Sequence, residues 1–178
     1  LQRERGRLLQ AQKPQEALWI YQAMTERFGP NGDLYFQMAQ IYNAMNKLNE
    51  ATEAISGMLA LDPGNFEIKK TLGDLYLRRD SVDIALRLYG ELVEQQPQNL
   101  ELRAAITHAF LAKQDYDRAA EQLESILRKD TLSVDDQLKF GQIFTQFIQR
   151  DSLVAPYAVK LFERIRDKHP EDWRPYWF

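Results

Sequence analysis

Apolar side chains recur along most of the chain with the spacing of one face of a helix. Between residues 72 and 92 they fall three or four positions apart, with a polar break at Arg79 and Asp80. Before the break stand Leu72, Leu75 and Tyr76, and after it Val82, Ala85, Leu88, Tyr89 and Leu92. Such spacing places the apolar groups on one side of each of two short helices. The stretch therefore predicts two amphipathic helices joined by a short turn.

The same pattern returns every 34 residues. An alanine recurs at Ala17, Ala51, Ala85 and Ala119, and a large apolar side chain follows each by four positions, at Tyr21, Ile55, Tyr89 and Leu123. An aromatic residue recurs at Tyr42, Tyr76, Phe110 and Phe144. A small residue stands three positions before each of them, at Ala39, Gly73, Thr107 and Gly141. Several residue types that recur with one common period predict a helical repeat.

The small residues have a packing reason. Gly73 and Ala85 remove side-chain bulk where the two helices of one repeat cross. A glycine inside a helix costs about 1 kcal/mol relative to alanine, so a compensating contact is expected. We expect that contact to be the close approach of the paired helices, with Tyr76 and Tyr89 packing around it.

These residues resemble the tetratricopeptide repeat (TPR), a helix–turn–helix repeat with small residues at the helix crossing and a closing proline. The match is fullest for Leu72, Gly73, Tyr76, Ala85, Tyr89 and Pro97. The resemblance implies an all-α fold, a right-handed α-solenoid of antiparallel helix pairs that forms a TPR-like superhelix. It covers nearly the whole chain.

The register divides residues 1–178, taken as a single TPR-like solenoid, into repeats. Their approximate bounds are 1–30, 31–64, 65–98, 99–132 and 133–170. The crossing alanine after Ala119 is Ala158, 39 residues later, which predicts about five inserted residues near 149–154 with Ser152 as a helix cap. Residues 171–178 read as the start of a further repeat, so we expect the chain to be a piece of a longer protein.

Composition and charge narrow the function. The chain has 23 Lys and Arg against 26 Asp and Glu, a formal charge of -3, which disfavours nucleic acid and anionic lipid as partners. It has no cysteine. No apolar run approaches the roughly 20 residues of a membrane helix, so we predict no direct membrane insertion. We predict a soluble protein. Its compartment, cytoplasm or periplasm, stays open because the sequence starts at Leu1 and a targeting segment ahead of it would not be seen.

Signals for catalysis are absent. His108 and His169 fall in different repeats, and neither has a second ligand at metal spacing. The chain contains neither a nucleotide-binding glycine motif nor the Gly-x-Ser-x-Gly motif of many hydrolases. We therefore predict that the protein is not an enzyme and has no catalytic residue, cofactor or metal site.

The resemblance implies that the first helix of each repeat lines a concave groove. The stripe beside the packed residues gives the candidate partner-binding side chains, which are Phe36, Gln40, Asn43, Lys70, Asp74, Leu77, Arg78, His108, Leu111, Gln142 and Gln146. The amide side chains can hydrogen-bond the backbone of a bound segment, and the apolar side chains can contact its apolar side chains. The leading hypothesis is a scaffold or adaptor that binds a peptide or partner protein in this groove.

The sequence also allows a second function. The chain can instead be a structural or regulatory segment of a larger protein, which packs on another domain or self-associates through the aromatic residues of 171–178. A carboxylate clamp of the kind found in some TPR domains is not expected, because only Lys70 and Arg78 in the stripe are cationic. RNA recognition by a helical repeat is disfavoured because Asp74 lies beside these two cations.

Overall fold

The computed structural model describes residues 13–127, 132–172 and 174–177, and within these ranges it contains nine α-helices and no strand. The helices are α1 Pro14–Phe28, α2 Gly32–Ala44, α3 Leu48–Leu61, α4 Phe66–Arg78, α5 Val82–Gln95, α6 Leu100–Ala112, α7 Tyr116–Leu127, α8 Val134–Ile148 and α9 Ala155–Lys168. Two short 3₁₀ helices, Ser152–Val154 and Arg174–Trp177, complete the described elements. None of the helices in the described part is long and apolar enough to cross a membrane.

Contacts divide the chain into two compact blocks. The N-terminal block ends at Leu92 and the C-terminal block begins at Val93. In the N-terminal block α2 packs on α3, α1 packs on α2, and α3 packs on α4. In the C-terminal block α6 packs on α7 and on α8, and α8 packs on α9. Each block has its own apolar core.

The recurring alanines lie where the sequence predicts tight packing. All five are buried, namely Ala17, Ala51, Ala85, Ala119 and Ala158. A side chain no larger than a methyl group lets neighbouring helices approach closely, which explains why the same residue type returns at this position. Their burial confirms the packing role that the period predicts.

The predicted close approach at Gly73 is also confirmed. A Cβ atom added to Gly73 would lie 2.5 Å from Cε1 of Tyr89, so the aromatic ring fills the place of the missing side chain. The same relationship joins α8 to α9, where a Cβ on Gly141 would lie 2.5 Å from Cζ of Phe162. The phenol and phenyl rings thus supply the contact that offsets the low helix propensity of glycine.

Helix capping repeats with the same period and was not predicted from the sequence. The first helices α2, α4, α6 and α8 are preceded by Asn31, Asn65, Asn99 and Ser133, which stand 34 residues apart. Each side chain accepts a hydrogen bond from a free backbone N–H of the first turn, for example Asn99 from Leu102 at 3.0 Å. These caps set the residue at which each first helix begins.

The turns between paired helices repeat as well. Asn46, Asp80 and Gln114 stand 34 residues apart and have φ values of 56°, 59° and 61°. This left-handed geometry is uncommon for residues other than glycine, and asparagine and aspartate adopt it most readily. One left-handed residue ends each first helix in a tight turn and allows the second helix to start within a few positions.

The predicted insertion region, 149–154, holds the 3₁₀ helix Ser152–Val154 directly before α9. The prediction of Ser152 as a cap is wrong. Asp151 has the extended backbone of a capping residue, and its Oδ1 accepts the backbone N–H of Leu153 at 2.9 Å. The cap therefore lies one residue earlier than expected, and Val154 fixes the segment by being fully buried.

Two predictions fall partly on residues outside the described ranges. They concern the first helix of the repeat at 1–30, whose residues 1–12 are outside, and the aromatic segment at 171–178, whose residues Trp173 and Phe178 are outside. Residues 174–177 are described as a 3₁₀ helix. A further repeat beginning at 171 stays a prediction.

Candidate partner-binding site

Five of the predicted partner-binding residues line one depression in the N-terminal block. The depression has a volume of about 180 Å³ and lies between α2, α3 and α4. The five residues are Phe36, Gln40, Asn43, Asp74 and Arg78. The stripe derived from the repeat register therefore marks a real concavity in this block.

The floor of the depression is apolar. Ala39, Ala51, Ile55 and Leu75 are all buried, and they form the surface that an inserted side chain would meet. Because alanines from α2 and α3 stand here, the floor lies deeper than larger side chains would allow. Phe36 stands at the rim and is 43% exposed, so its ring is available for apolar contact with a bound molecule.

The opposite rim is polar and joins α2 to α4. Nη1 of Arg78 donates a hydrogen bond to Oδ1 of Asn43 over 2.5 Å, and both side chains are exposed. Arg78 forms no ion pair with a described residue. Its guanidinium carries further donors, so it can bind a carboxylate while it keeps the bond to Asn43.

Asp74 is engaged by its own protein. Its Oδ1 accepts the hydroxyl of Tyr89 at 2.6 Å, and its Oδ2 lies 3.4 Å from Nζ of Lys70. Burial first, and then this hydrogen bond, raise the pKa of the Tyr89 hydroxyl well above its usual range, so it remains a donor. The negative charge of Asp74 is thus offset by Lys70, and Arg78 is left as the cation of this rim.

The other predicted residues lie elsewhere. Lys70 and Leu77 are half-buried on α4 and do not line the depression. Gln142 and Gln146 are exposed on α8 in the C-terminal block. Neither glutamine lines the depression.

His108 packs against an aromatic residue. Its ring stands edge-on to Phe147 with the two ring centroids 4.8 Å apart. Burial, and then the charge of Arg150, lower the pKa of the imidazole. The side chain is therefore neutral at neutral pH and is held by packing on α8.

The prediction of Leu111 as a groove residue is wrong. It is 2% exposed and belongs to the core of the C-terminal block, together with Phe144 and Phe147 of α8. The stripe derived from the register spans a wide arc of the first helix, and its edge at this position faces the first helix of the next repeat. A residue on that edge is covered by packing and cannot contact a partner.

Several residues of the depression were not predicted. Thr71 and Leu75 come from α4, and Ile55 comes from α3. The predicted residues all lie on one stripe of the first helices, whereas the second helix α3 also contributes to the floor. The signal in the sequence for this contribution is the periodic apolar position that Ile55 occupies. Among the described residues, no group of three or more His, Cys, Asp or Glu side chains could hold a metal ion.

Comparison with known proteins identifies the kind of repeat. Residues 83–165 match the sequence profile of the family described as tetratricopeptide repeat. Among curated proteins, "Tetratricopeptide repeat protein 8" of Caenorhabditis elegans is 27% identical over 124 residues, which cover 70% of this chain and 24% of that protein. The "Transcription factor tau 131 kDa subunit" of Saccharomyces cerevisiae is 24% identical over 125 residues, covering 69% of this chain and 12% of that protein.

Solved structures agree with this result. MamA of Desulfovibrio magneticus, from its residue 41 to the end, superposes with a TM-score of 0.62 at 17% identity and covers 93% of both chains. YrrB, described as a TPR protein with an unusual peptide-binding site, has a TM-score of 0.60 at 18% identity and covers 96% of this chain and 85% of its own. At these identities the similarity shows the fold, and it confirms the predicted all-α solenoid class. This chain spans about a quarter and an eighth of the length of the two curated relatives.

Proposed function

We propose that this chain, whose residues 83–165 match the tetratricopeptide repeat family, is a protein-interaction scaffold that binds a segment of a partner protein in the depression between α2, α3 and α4. One observation carries the proposal. The apolar floor is bordered by an exposed aromatic side chain, Phe36, and by a cation, Arg78, that has no ion pair among the described residues. An apolar floor beside an exposed aromatic ring and a cation is typical of a site that binds protein and is not typical of an ordinary solvated surface.

The chemistry of the rim specifies the bound segment. An apolar side chain of the partner would enter the floor beside Phe36, where Ile55 and Leu75 are its neighbours. The amides of Gln40 and Asn43 would hydrogen-bond the partner's backbone. Arg78 would receive an Asp or Glu side chain of the same segment, since a carboxylate matches the fork of a guanidinium. The proposed partner segment therefore carries an acidic residue close to an apolar one.

A structural neighbour supports a peptide as the ligand. YrrB is a TPR protein with an unusual peptide-binding site, and this chain shares its fold. The family and fold are typical of scaffolds without catalytic activity, and we extend this to propose that the chain itself is not an enzyme. Asp74 and Lys70 balance each other near the depression, which argues against a nucleic acid as the ligand there.

Capture of a partner tests the proposal. Immobilised protein is incubated with extract of the source cells, and the proteins retained by wild type are identified and compared with those retained by Phe36→Ala and Arg78→Ala. Arg87→Ala is the matched control, because Arg87 is an exposed arginine on α5 outside the depression. We expect the first two variants to lose a defined partner that the control retains, with unchanged helical circular dichroism. Retention of the same proteins by all three variants would contradict the proposal.

The alternative, a segment that packs on another domain or on a second copy, has its own observation. Ile20, Met24 and Phe28 stand four positions apart on one face of α1 and are 38%, 38% and 72% exposed, which is unusual for large apolar side chains on one helix face. A surface of this kind is a candidate for burial against protein. Sedimentation velocity tests for packing on a second copy, because self-association raises the sedimentation coefficient with concentration. Met24→Ser combined with Phe28→Ser would abolish that rise. The predicted role of the aromatic segment at 171–178 in self-association remains part of this alternative.

A further inference from the structure

A second concavity lies in the C-terminal block, between the second helices α7 and α9. It has a volume of about 410 Å³, within the range of small-molecule sites. Each helix turns one face toward it, with lining residues three or four positions apart. None of the predicted partner-binding residues lines this cleft, so it is separate from the depression between α2, α3 and α4.

Two polar contacts connect the helices at the two ends of the cleft. At one end the hydroxyl of Tyr157 donates to Oδ1 of Asp117 over 2.8 Å. At the other, Nη1 of Arg164 lies 2.8 Å from Oε1 of Glu124. The two contacts are seven residues apart on each helix, which corresponds to about 10 Å along a helix axis. They fix the width of the cleft at both ends and leave the space between them open.

Two opposite charges line the middle of the cleft without partners among the described residues. Glu121 stands on α7 and Lys160 on α9. Neither forms an ion pair or hydrogen bond there, although the pairs on both sides of them do bridge the two helices. An anionic group on one wall and a cationic group on the other are thus separated by the width of the cleft.

The surface between these charges is apolar. Ala120 is small and leaves room on the α7 side, while Leu161 of α9 and Phe144 of α8 are buried beneath. A ligand that fits this arrangement needs a cation, an anion and a short apolar part. Each charge placed against its opposite would gain a charge-assisted hydrogen bond.

We propose that this cleft binds a small zwitterion of the α-amino acid class with an apolar side chain. The ammonium group of the ligand pairs with Glu121 and its carboxylate pairs with Lys160. The side chain lies on Ala120 and Leu161. The two end contacts preorganise the walls, so little ordering of the protein accompanies binding.

Calorimetric titration of the full chain tests this assignment, with L-leucine, L-valine and L-phenylalanine as probes. We expect binding by at least one probe, with affinity lowered about tenfold or more by Glu121→Gln and by Lys160→Gln. Glu163→Gln is the matched control, because Glu163 is an exposed carboxylate of α9 that does not line the cleft. Ala120→Leu adds no charge but projects a larger side chain into the place proposed for the apolar part of the ligand, and it is expected to weaken binding.

Two analogues of the strongest probe identify which wall binds which charge. The amide of the amino acid lacks the carboxylate, and its affinity should be insensitive to Lys160→Gln but reduced by Glu121→Gln. The corresponding carboxylic acid lacks the amino group, and its affinity should be reduced by Lys160→Gln but insensitive to Glu121→Gln. Absence of binding by all three probes at millimolar concentration would overturn the proposal. Binding that none of the cleft variants changes would overturn it equally.

Discussion

The ring of Tyr89 occupies the space that a side chain on Gly73 would need. Cε1 of the ring lies 2.5 Å from the position of the missing Cβ, and Tyr89 is fully buried. The hydroxyl of the same residue donates to Asp74, which lines the depression proposed to bind a partner. Packing between α4 and α5 is therefore connected to the geometry of the candidate site through one side chain.

Substitution of Gly73 by alanine is expected to destabilise the protein. The new methyl group would force the buried ring of Tyr89 to move, and overpacking of this kind costs about 1–3 kcal/mol. Chemical denaturation followed by circular dichroism measures the change. Gly90→Ala is the control, because Gly90 lies in α5 with nothing within 4 Å of its added Cβ. Gly90→Ala should raise the free energy of unfolding by up to about 1 kcal/mol, because alanine has the higher helix propensity. Equal effects of the two substitutions would refute the packing role of Gly73.

Removal of the Tyr89 hydroxyl should have a smaller effect. Tyr89→Phe keeps the ring against Gly73 and deletes the hydrogen bond to Asp74. We expect the free energy of unfolding to fall by about 1 kcal/mol. The loss is modest for a hydrogen bond to a charged group because the carboxylate of Asp74 is partly solvated. The same denaturation experiment measures it. A loss as large as that of Gly73→Ala would mean that the hydroxyl, and not the ring, is the main contribution of this residue.

The periodic caps make a further prediction. Asn99→Ala removes the acceptor of the Leu102 N–H at the start of α6 and should lower stability by about 1 kcal/mol. Asn99→Ser should restore most of it, as serine caps the equivalent position before α8. Gln98→Ala, one residue earlier and exposed, is the control with no expected change. Thermal melts of the three variants are sufficient, and a stable alanine variant would show that the cap is dispensable.

The dependence of stability on pH should include a contribution from Asp151. The hydrogen bond from Tyr116, and then the backbone N–H of Leu153, hold the pKa of this carboxyl below its ordinary value of 3.8. The stabilisation is present above that ordinary value and is lost as the pH falls through the lower folded pKa. Asp151→Asn should therefore flatten the acid side of the stability profile below about pH 4. An unchanged slope would contradict this role.

The repeat could be predicted because its packing residues recur in the sequence itself. Ala51 and Gly73 are fixed by close approach of helices, and a constraint of that kind leaves the same residue types at the same spacing. The caps Asn65 and Asn99 recur with the same period, but they are polar and do not belong to the apolar positions that predict the helices. Small polar residues occur widely in loops, so only their 34-residue spacing identifies these as caps.

The site was less accessible to prediction, for a geometric reason. A stripe counted along one helix includes Asn43 and Arg78, which line the depression, but it cannot tell which edge of the stripe the next helix covers. Leu111 lies on such a covered edge and Leu77 is half-buried. The contribution of Ile55 from a second helix, and the cleft between α7 and α9, depend on distances between helices that periodicity does not contain.

Binding between α2, α3 and α4 is tested by the dissociation constant of a peptide selected from a random library on the wild-type protein. The constant is measured for wild type, Arg78→Ala and the control Arg87→Ala. We predict a selected sequence with an acidic residue near an apolar one, an affinity reduced about tenfold or more by Arg78→Ala, and no change in affinity with Arg87→Ala. Equal affinity for wild type and Arg78→Ala would contradict the claim that a partner binds between α2, α3 and α4.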